Sequence, residues 1–267
     1  MLSSNPKITL LATNGSSTNW VFNTLANHYS NVEVIIEKKI SRTSMVKGRL
    51  KKLGLIKTLG QLLFIASIAK ILGIYSKKRI SEIHQRFGLN ECIIGSQYIK
   101  YISSVNNPQI IEIISQLNPD LIIVNGTRII SSHIIHQLSC PIINIHTGIT
   151  PYYRGVHGGY WALFNNDIEN FGTTVHFLDA GIDSGSVIRH YRTQPANTDN
   201  FLTYPLLQYG IMLPDLVSIV AEVLIKADPT KLNVKQSNIP PPVSKGTLYY
   251  HPTLGQYLFG LFWKGVK

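Results

Sequence analysis

The sequence predicts an α/β fold with a Rossmann-like, doubly wound and mostly parallel sheet, followed by a small C-terminal extension. Short apolar runs alternate with segments in which apolar residues recur at helical spacing, which is typical of strand–helix–strand units. The run 121–124 is apolar at every position, as a strand buried on both faces of a parallel sheet requires. The length of 267 residues suits one large domain, or a domain with an appendage.

The first elements are a strand, a tight turn and a helix. Residues 8–13 form a compact apolar run that ends at Asn14-Gly15-Ser16-Ser17, after which helical spacing begins. The β-branched residues of 32–37 predict a second strand. Helical spacing then continues across 45–75 and 80–87, and a short strand is expected at 92–95.

The middle of the chain continues the alternation. We expect helices at 107–117, 131–138 and 160–165, and strands at 121–124, 142–145, 173–178 and 186–191. The last two strands are close enough in sequence to be antiparallel partners. Beyond Gln194 the pattern changes to a long helix, 202–227, which Pro205 and Pro214 interrupt, and to an aromatic tail. We therefore predict a core of residues 1–193 and an extension of residues 194–267, with a Pro-rich linker at 239–242.

Positive charge is concentrated in one segment. The chain has 25 Lys and Arg against 14 Asp and Glu, a formal charge of +11. The segment 38–79 contains 12 of the basic residues and no acidic one, which leaves 13 basic against 14 acidic residues elsewhere. The high isoelectric point therefore describes this helical insertion rather than the whole molecule.

The sequence favours a cytoplasmic protein. Cys92 and Cys140 are too few for a disulfide framework, so a reducing compartment is expected. The first residues contain no apolar signal core. The longest apolar stretch, 62–75, is interrupted by Lys70 and is shorter than the ~20 residues that span a bilayer.

Three polar residues are placed to act on one substrate. Asn144 and His146 lie at the carboxyl end of the predicted strand 142–145 and point to the same face, at the edge where doubly wound sheets bind ligands. The segment 179–185 follows another strand and contains two glycines, so it can return Asp183 toward His146. Attack on a carbonyl carbon would suit this set, because the amide and imidazole can donate to a developing oxyanion and the carboxylate can orient the imidazole.

The motifs around these residues resemble the folate-dependent formyltransferase family. The matching segments are Asn144-Ile145-His146, Pro151-Tyr152-Tyr153-Arg154-Gly155, Trp161-Ala162-Leu163, Gly172-Thr173-Thr174-Val175-His176 and Asp183-Ser184-Gly185. Order, spacing and residue type agree over roughly 40 residues. The segment 125–130 resembles the part of the family whose backbone holds the pterin ring, and weaker similarity extends to 8–17.

The resemblance implies a catalytic triad of Asn144, His146 and Asp183, with 10-formyltetrahydrofolate as the formyl donor and no metal. Asn144 and His146 would stabilise the oxyanion, and Asp183 would orient His146 and assist proton transfer. The residues expected to contact the folate are Thr127, Arg128, Ile129, Ile130, Asp179 and Gly181. Those expected to contact the acceptor substrate are Asn14, Gly15, Ser16, Arg154 and His157.

Two departures from the usual family pattern indicate a branch. Residues 147–151 stand where Pro-Ser-Leu-Leu-Pro is usual, and 156–159 also differ. Both resemble enzymes that formylate nucleotide-linked amino-deoxy sugars for surface polysaccharide (O-antigen) synthesis, and a GDP- or dTDP-linked 4-amino sugar is favoured. The competing hypotheses are a glycinamide ribonucleotide formyltransferase and a non-catalytic module that binds folate or a nucleotide sugar. A methionyl-tRNA enzyme would need a C-terminal barrel for which the extension is too short, so no nucleic acid partner is expected.

Some of these residues also have a structural interpretation. Alone, His146 would be read as a buried structural histidine, and its register with Asn144 and Asp183 is what favours catalysis. His176 lies inside a predicted strand and is equally consistent with a core residue or a site residue. The spacing of His146, His157, His176 and Asp183 matches no compact zinc signature.

Several polar and basic segments could bind anions or serve the fold alone. Asn14-Gly15-Ser16-Ser17 could hold a phosphate on helix N-terminal amides or form a simple turn and cap. Arg154 could steer an anionic substrate or be solvated, and Asp179 also suits a turn former. The segment 38–79 could be a solvated helical face, could attract an anionic substrate, or could lie peripherally on the inner face of an anionic membrane. The aromatic tail could form a homodimer interface, contribute to the sugar pocket, stack on a base or pack in the core.

Overall fold

The computed structural model describes residues 5–226 and 246–267. Its strands are β1 Ile8–Thr13, β2 Val32–Glu37, β3 Ile99–Ile102, β4 Leu121–Asn125, β5 Ile142–His146, β6 Tyr153–Gly155, β7 Gly172–Phe177, β8 Val187–Arg192 and β9 Thr247–Tyr249. Seven of them form a sheet in the order β3-β2-β1-β4-β5-β7-β8, and β6 pairs separately with β9. In the large sheet β1 to β5 run parallel, whereas β7 pairs antiparallel with both β5 and β8. The predicted Rossmann-like, mostly parallel sheet is confirmed.

Helices cover both faces of this sheet. They are α1 Ser16–Ala26, α2 Arg42–Leu53, α3 Leu55–Ala66, α4 Ile68–Tyr75, α5 Lys77–Phe87, α6 Gln109–Leu117, α7 Ser132–Ile135, α8 Gly158–Phe164, α9 Tyr204–Met212, α10 Leu216–Lys226 and α11 Leu254–Lys264. Several ends carry the expected capping residues: the Ser41 hydroxyl accepts from the Ser44 amide before α2, and Thr253 and Gln256 form a capping box at α11.

The direction of winding changes between β1 and β4. The chain proceeds outward from β1 through β2 to β3, and then returns to the other side of β1 for β4 and β5. In a doubly wound sheet this reversal opens a crevice at the carboxyl ends of the two strands. There the Thr13 hydroxyl donates to the Gly126 carbonyl at 3.0 Å. The topology therefore places a ligand crevice at the edge where β1, β4 and β5 end.

Alternate residues of the strands fill two apolar layers. Leu10 of β1 packs in the layer with α1 and α9, whereas the next residue, Leu11, packs with α6 and α7 on the opposite face. The first layer also includes residues of the predicted extension, among them Leu216 and Tyr257. The predicted boundary at residues 193 and 194 stays a prediction.

Two element predictions need correction. The strand expected at 92–95 is wrong: the Asn23 side chain donates to the carbonyls of Asn90 and Cys92, which holds this stretch outside the sheet, and Ile93 is exposed. The edge strand is β3 instead. The helix expected at 202–227 divides into α9 and α10, with a 3-10 turn, Leu213–Asp215, between them. The proline-rich linker predicted at 239–242 lies outside the described residues.

The basic segment contains α2, α3, α4 and the start of α5, and α3 packs against the core. Phe64 of α3 is buried and packs on Phe201 and Tyr257. At the other end, Arg79 holds the buried carboxylate of Asp199 through two hydrogen bonds of 2.8 and 3.0 Å.

Two stretches are long and apolar enough to span a bilayer by length and composition. They are Leu55–Tyr75, which is 17% buried, and Tyr204–Lys226, which is 56% buried. The first is longer than the apolar run expected from the sequence. Both contribute residues to the apolar layer against the sheet, Phe64 in the first and Leu207 in the second.

Candidate active site

Asn144 and His146 end β5 at the predicted crevice. Both face the same side of the sheet because they are two residues apart. β5 pairs antiparallel with β7, which sets Asn144 opposite His176 and His146 opposite Thr174. The register therefore adds a second histidine to the two residues that the sequence predicted.

A folded loop after β7 carries Asp183. The Asp179 carboxylate accepts from the Gly181 amide at 3.0 Å and from the Ser184 hydroxyl at 2.9 Å, so Asp179 shapes the loop from within. At Gly185 a Cβ would lie 1.7 Å from the Phe177 carbonyl oxygen, so only glycine fits. Asp183 itself has a φ of 48°, a left-handed conformation that aspartate tolerates better than most residues.

The loop brings Asp183 to both residues of β5. Its Oδ1 atom lies 3.5 Å from Asn144 Nδ2 and 3.5 Å from His146 Nδ1. Its Oδ2 atom accepts from the Gly155 amide at 2.8 Å, which fixes the carboxylate from the side of β6. The structure thus brings together the three residues predicted as catalytic, and their roles stay predictions.

His176 orients the amide of Asn144. Its Nδ1 atom donates to the Phe177 carbonyl at 2.8 Å, and burial lowers the pKa of His176, which keeps the ring neutral. The remaining nitrogen, Nε2, therefore accepts, and it lies 3.1 Å from Asn144 Nδ2. The amide nitrogen of Asn144 is thereby turned toward His176 and Asp183.

His146 is held by a close backbone approach. Its Nε2 atom donates to the Tyr153 carbonyl at 2.8 Å, so Nδ1 is the nitrogen that faces Asp183. Gly148 lies against this bond: a Cβ there would stand 2.4 Å from the Tyr153 carbonyl oxygen and 2.6 Å from His146 Nε2. A side chain at position 148 would therefore displace the histidine.

These groups line a cleft with a volume of about 470 Å³, a size typical of small-molecule sites. Of the residues predicted to contact ligands, those on its wall are Thr127, Arg128, Ile129, Ile130, His157 and Gly181. Apolar walls come from Val124, Leu178 and Ile182. The cleft therefore combines an apolar interior with a small polar cluster.

The loop after β4 is fixed by a buried carboxylate. Glu37 is 1% exposed; it accepts from the backbone amides of Arg128 at 3.0 Å and Val105 at 2.8 Å, and pairs with Arg128 Nε at 3.0 Å. The Arg128 guanidinium also donates to the carbonyls of Lys38 and Ser103. The Arg128 guanidinium is therefore engaged in stabilising the loop. Toward a ligand, Arg128 contributes as a residue that lines the cleft.

His157 is a neutral wall residue. Its ring lies 4.5 Å from that of Phe201 and 4.6 Å from that of His251. Burial, then the nearby His251 and Arg49, lower the pKa of His157 to about 3. Burial lowers the pKa of His251 to about 4. Neither imidazole carries a charge near neutral pH, so His157 would meet a substrate by shape and hydrogen bonding.

An aromatic wall from the C-terminal tail completes the cleft. Strand β9 adds Leu248 and Tyr249, followed by Tyr250, while Lys52 of α2 stands 5.0 Å from the centre of the Tyr250 ring. Tyr249 stacks between Tyr153 and Trp161. The aromatic tail was the sequence signal for this wall, but its partner strand β6 was not recognised.

The remaining predicted contacts lie outside the cleft wall. Asn14, Gly15 and Ser16 are exposed at the β1–α1 junction, on the edge of the sheet where β4 also ends. Arg154 lies on β6 opposite Leu248, and its Nε atom is buried with no hydrogen-bond partner among residues 5–226 and 246–267. Asp179 serves the loop, as described above. Contacts from these residues to an acceptor or to folate stay predictions.

The arrangement suits chemistry at a carbonyl carbon. Asn144 Nδ2 and His146 Nδ1 face the same carboxylate oxygen at equal distance, so an amide donor, an imidazole nitrogen and a proton acceptor meet at one point of the cleft. Within residues 5–226 and 246–267, no group of three His, Cys, Asp or Glu residues is placed to hold a metal ion.

The site lies in a region that matches a known family. A profile described as "Formyl transferase" matches residues 69–201, about half of the chain. A methionyl-tRNA formyltransferase of Chlorobium chlorochromatii is 32% identical over 99 residues, which are 37% of this chain and 31% of that protein. One from Geobacter metallireducens is 35% identical over 85 residues, 32% of this chain and 27% of that protein. The match thus spans about a third of the length of these curated relatives.

Solved structures share the fold. A sugar N-formyltransferase from a Shewanella species superposes with a TM-score of 0.56 at 13% identity, covering 91% of this chain and 76% of that chain. A phosphoribosylglycinamide formyltransferase from Streptococcus pneumoniae gives a TM-score of 0.52 at 18% identity, covering 81% of this chain and 98% of that chain. At these identities the likeness is one of fold.

Proposed function

The chain belongs to the formyl transferase family, and we propose that it transfers a formyl group from 10-formyltetrahydrofolate to the primary amine of a nucleotide-linked amino-deoxy sugar. One observation carries the proposed chemistry: Asp183 Oδ1 lies 3.5 Å from both Asn144 Nδ2 and His146 Nδ1 inside the cleft. The cytoplasm is the proposed location, where folates and nucleotide sugars are both present, and surface polysaccharide (O-antigen) synthesis is the proposed use of the product.

The cleft fits a folate donor. A pterin is a flat ring with polar edges, and the wall offers apolar side chains from Val124, Ile129 and Ile182 beside backbone groups of the loop after β4. Glu37 fixes that loop through two backbone amides. When bound, the folate supplies the activated formyl group. The chain's part is to hold the ring by these walls and to present the formyl carbon to Asn144 and Asp183.

The polar cluster supplies stabilisation and proton transfer. As the amine nitrogen bonds to the formyl carbon, negative charge develops on the formyl oxygen, and the Asn144 amide turned by His176 donates to it. A donor of this kind is worth roughly 100- to 1000-fold in rate. Asp183 accepts the proton that leaves the amine and returns it to the departing folate nitrogen. His146, whose Nε2 donates to the Tyr153 carbonyl, keeps Nδ1 beside the carboxylate and orients it.

The proposed acceptor follows from the chemistry of the aromatic wall. Tyr250 offers an aromatic ring on the cleft wall, and Lys52 brings a positive charge beside it. A nucleobase stacks on aromatic rings and a diphosphate pairs with cations, so a nucleotide-linked substrate matches both features. A GDP- or dTDP-linked 4-amino sugar is the favoured acceptor.

Two further acceptors are tested beside it. The curated relatives are methionyl-tRNA formyltransferases, and one structural neighbour is a phosphoribosylglycinamide formyltransferase. Purified protein is incubated with 10-formyltetrahydrofolate and, separately, with GDP- and dTDP-linked 4-amino sugars, glycinamide ribonucleotide and methionyl-tRNA. Mass spectrometry reads the formylated amine, and tetrahydrofolate release is measured in parallel. Formylation of a nucleotide sugar with the highest kcat/KM supports the proposal, whereas preference for either of the remaining amines contradicts it.

An isosteric variant separates catalysis from binding. We expect Asp183→Asn to reduce kcat by about 1000-fold or more, because the proton acceptor is lost, while a folate analogue still raises the melting temperature. Asp120→Asn is the matched control, because Asp120 is exposed where β4 begins, at the other edge of the sheet. Equal rates for the two variants would show that Asp183 is not the catalytic carboxylate.

A further inference from the structure

Helices α3 and α4 expose a continuous series of large apolar side chains. Ile56 is 87% exposed and Tyr75 is 81% exposed. We define the outer face by its exposed apolar residues, Leu55, Ile56, Leu59, Leu63, Ile71, Ile74 and Tyr75. The opposite side, with Thr58, Gln61 and Phe64, is buried against the core. Patches of this kind on soluble proteins mark interaction surfaces.

The charges near the outer face have one sign. Lys70 is exposed one residue before Ile71, and Lys77 and Lys78 are exposed directly after Tyr75. The whole segment 38–79 has 12 basic residues and no acidic one. In the described residues, Arg79 is the member of this segment that forms salt bridges, with Glu82 and Asp199. Lys70, Lys77 and Lys78 form no salt bridge within residues 5–226 and 246–267 and are therefore available to a partner.

We propose that the outer face of α3 and α4 docks on the surface of an anionic phospholipid bilayer. Apolar side chains enter the boundary between headgroups and acyl chains, and the lysines attract anionic headgroups. A second copy of the chain would set two all-positive segments against each other. Nucleic acid would leave the apolar side chains without a partner. The buried side with Phe64 keeps the helices attached to the core, so they lie on the membrane and do not cross it.

Co-sedimentation of the full chain with vesicles tests the proposal. Vesicles of phosphatidylglycerol and phosphatidylcholine should bind the protein at low salt, and vesicles of phosphatidylcholine alone should bind it at least about tenfold more weakly. Raising salt from about 50 mM to about 500 mM should release most of the protein, because the Debye length then falls below ~5 Å. Absence of binding to the anionic vesicles at low salt overturns the proposal.

Paired variants locate the contact. Leu59→Glu with Leu63→Glu should weaken vesicle binding at least about tenfold, while the matched control, Ile93→Glu with Ile168→Glu, changes two exposed apolar residues outside the segment and should bind as the parent does. Thermal melting shows that both proteins fold. Equal vesicle binding by the two double variants overturns the proposal.

The charge contribution is tested in the same way. Lys70→Gln with Lys77→Gln should weaken binding about tenfold or more, since a lysine near an anionic leaflet is worth about fivefold. Lys100→Gln with Lys226→Gln removes the same charge elsewhere and should have a smaller effect. Light scattering gives the oligomeric state: a dimer that Leu59→Glu with Leu63→Glu converts to a monomer would assign the outer face to a second copy and overturn membrane docking.

Discussion

His176 Nε2 lies 3.1 Å from Asn144 Nδ2, across the β5–β7 pair in which the two residues stand directly opposite each other. Because His176 is neutral and its Nδ1 donates to the Phe177 carbonyl, Nε2 can only accept. The contact therefore decides which end of the Asn144 amide faces Asp183. A buried histidine, for which the sequence was equally consistent with a core and a site residue, thus orients the amide proposed to bind the oxyanion.

The role of His176 as a positioning residue can be measured. His176→Leu should lower kcat about tenfold to hundredfold with little change in either KM, because the Asn144 amide loses the acceptor that orients it. His176→Gln keeps an acceptor and should recover part of the rate. Steady-state kinetics at neutral pH gives the comparison, and His136→Leu, at an exposed position, is the control. A loss of stability with unchanged kcat would show that His176 serves the core alone.

Glu37 should stabilise both the fold and the folate side of the cleft. Glu37→Gln replaces one acceptor oxygen by a donor where Val105 and Arg128 both donate, so we expect a loss of about 2 kcal/mol in the free energy of unfolding and a higher KM for the folate. Glu33→Gln is the matched control, because Glu33 pairs with Lys100 on the surface and should cost below about 1 kcal/mol. Denaturant unfolding gives both free energies. Equal losses for the two variants would contradict the proposed role of Glu37 in stabilising the loop after β4.

Acidification should destabilise the cluster around His157 and His251. Their pKa values, about 3 and about 4, lie below the ordinary value near 6.5, so the unfolded chain takes up protons first as the pH falls. Stability should decrease from about pH 6.5 toward about pH 4, by about 1.4 kcal/mol per pH unit for each histidine. His251→Phe should flatten this decrease, and His136→Asn at an exposed position should not. A melting temperature that is constant from pH 6.5 to pH 5 would contradict the prediction.

Lys52 should affect the KM for the acceptor substrate and not the KM for the folate donor. It stands 5.0 Å from the Tyr250 ring on the cleft wall, where a phosphate can meet it. Lys52→Met should raise the KM for a nucleotide-linked acceptor about fivefold to tenfold and leave the KM for the folate unchanged. Lys51→Met, at the preceding exposed position, controls for loss of charge. If Lys52→Met instead raised the KM for folate, the proposed diphosphate position at this wall would be wrong.

The sequence was informative where a signal is local. Asn144 and His146 could be placed because a short apolar strand ends there and residues two apart share a face. His176 needed the β5–β7 register, which no local pattern specifies. Strand β3 escaped recognition because Lys100 and Tyr101 are both exposed, so it lacks the apolar run that marked the other strands.

Long-range contacts account for the rest. The aromatic wall depends on the pairing of β6 with β9, whose members Tyr153 and Thr247 are far apart in the chain. Arg128 was expected to contact the folate because the segment 125–130 resembles the pterin-binding part of the family, whereas Glu37, from β2, pairs with its guanidinium. Charge composition singled out the segment 38–79 and apolar spacing predicted helices in it, but which of its side chains face outward followed only from the packing of Phe64.

Strand β6 contacts both Asp183 and the aromatic wall. The Gly155 amide holds Asp183, and the same residue pairs with Tyr249, where a Cβ at position 155 would lie 2.3 Å from the Tyr249 carbonyl oxygen. Any shift of this strand would therefore move the proton acceptor and the aromatic wall together. Redesign of acceptor preference would do better to start from Lys52 or Tyr250, since remodelling β6 would disturb the reaction centre at the same time.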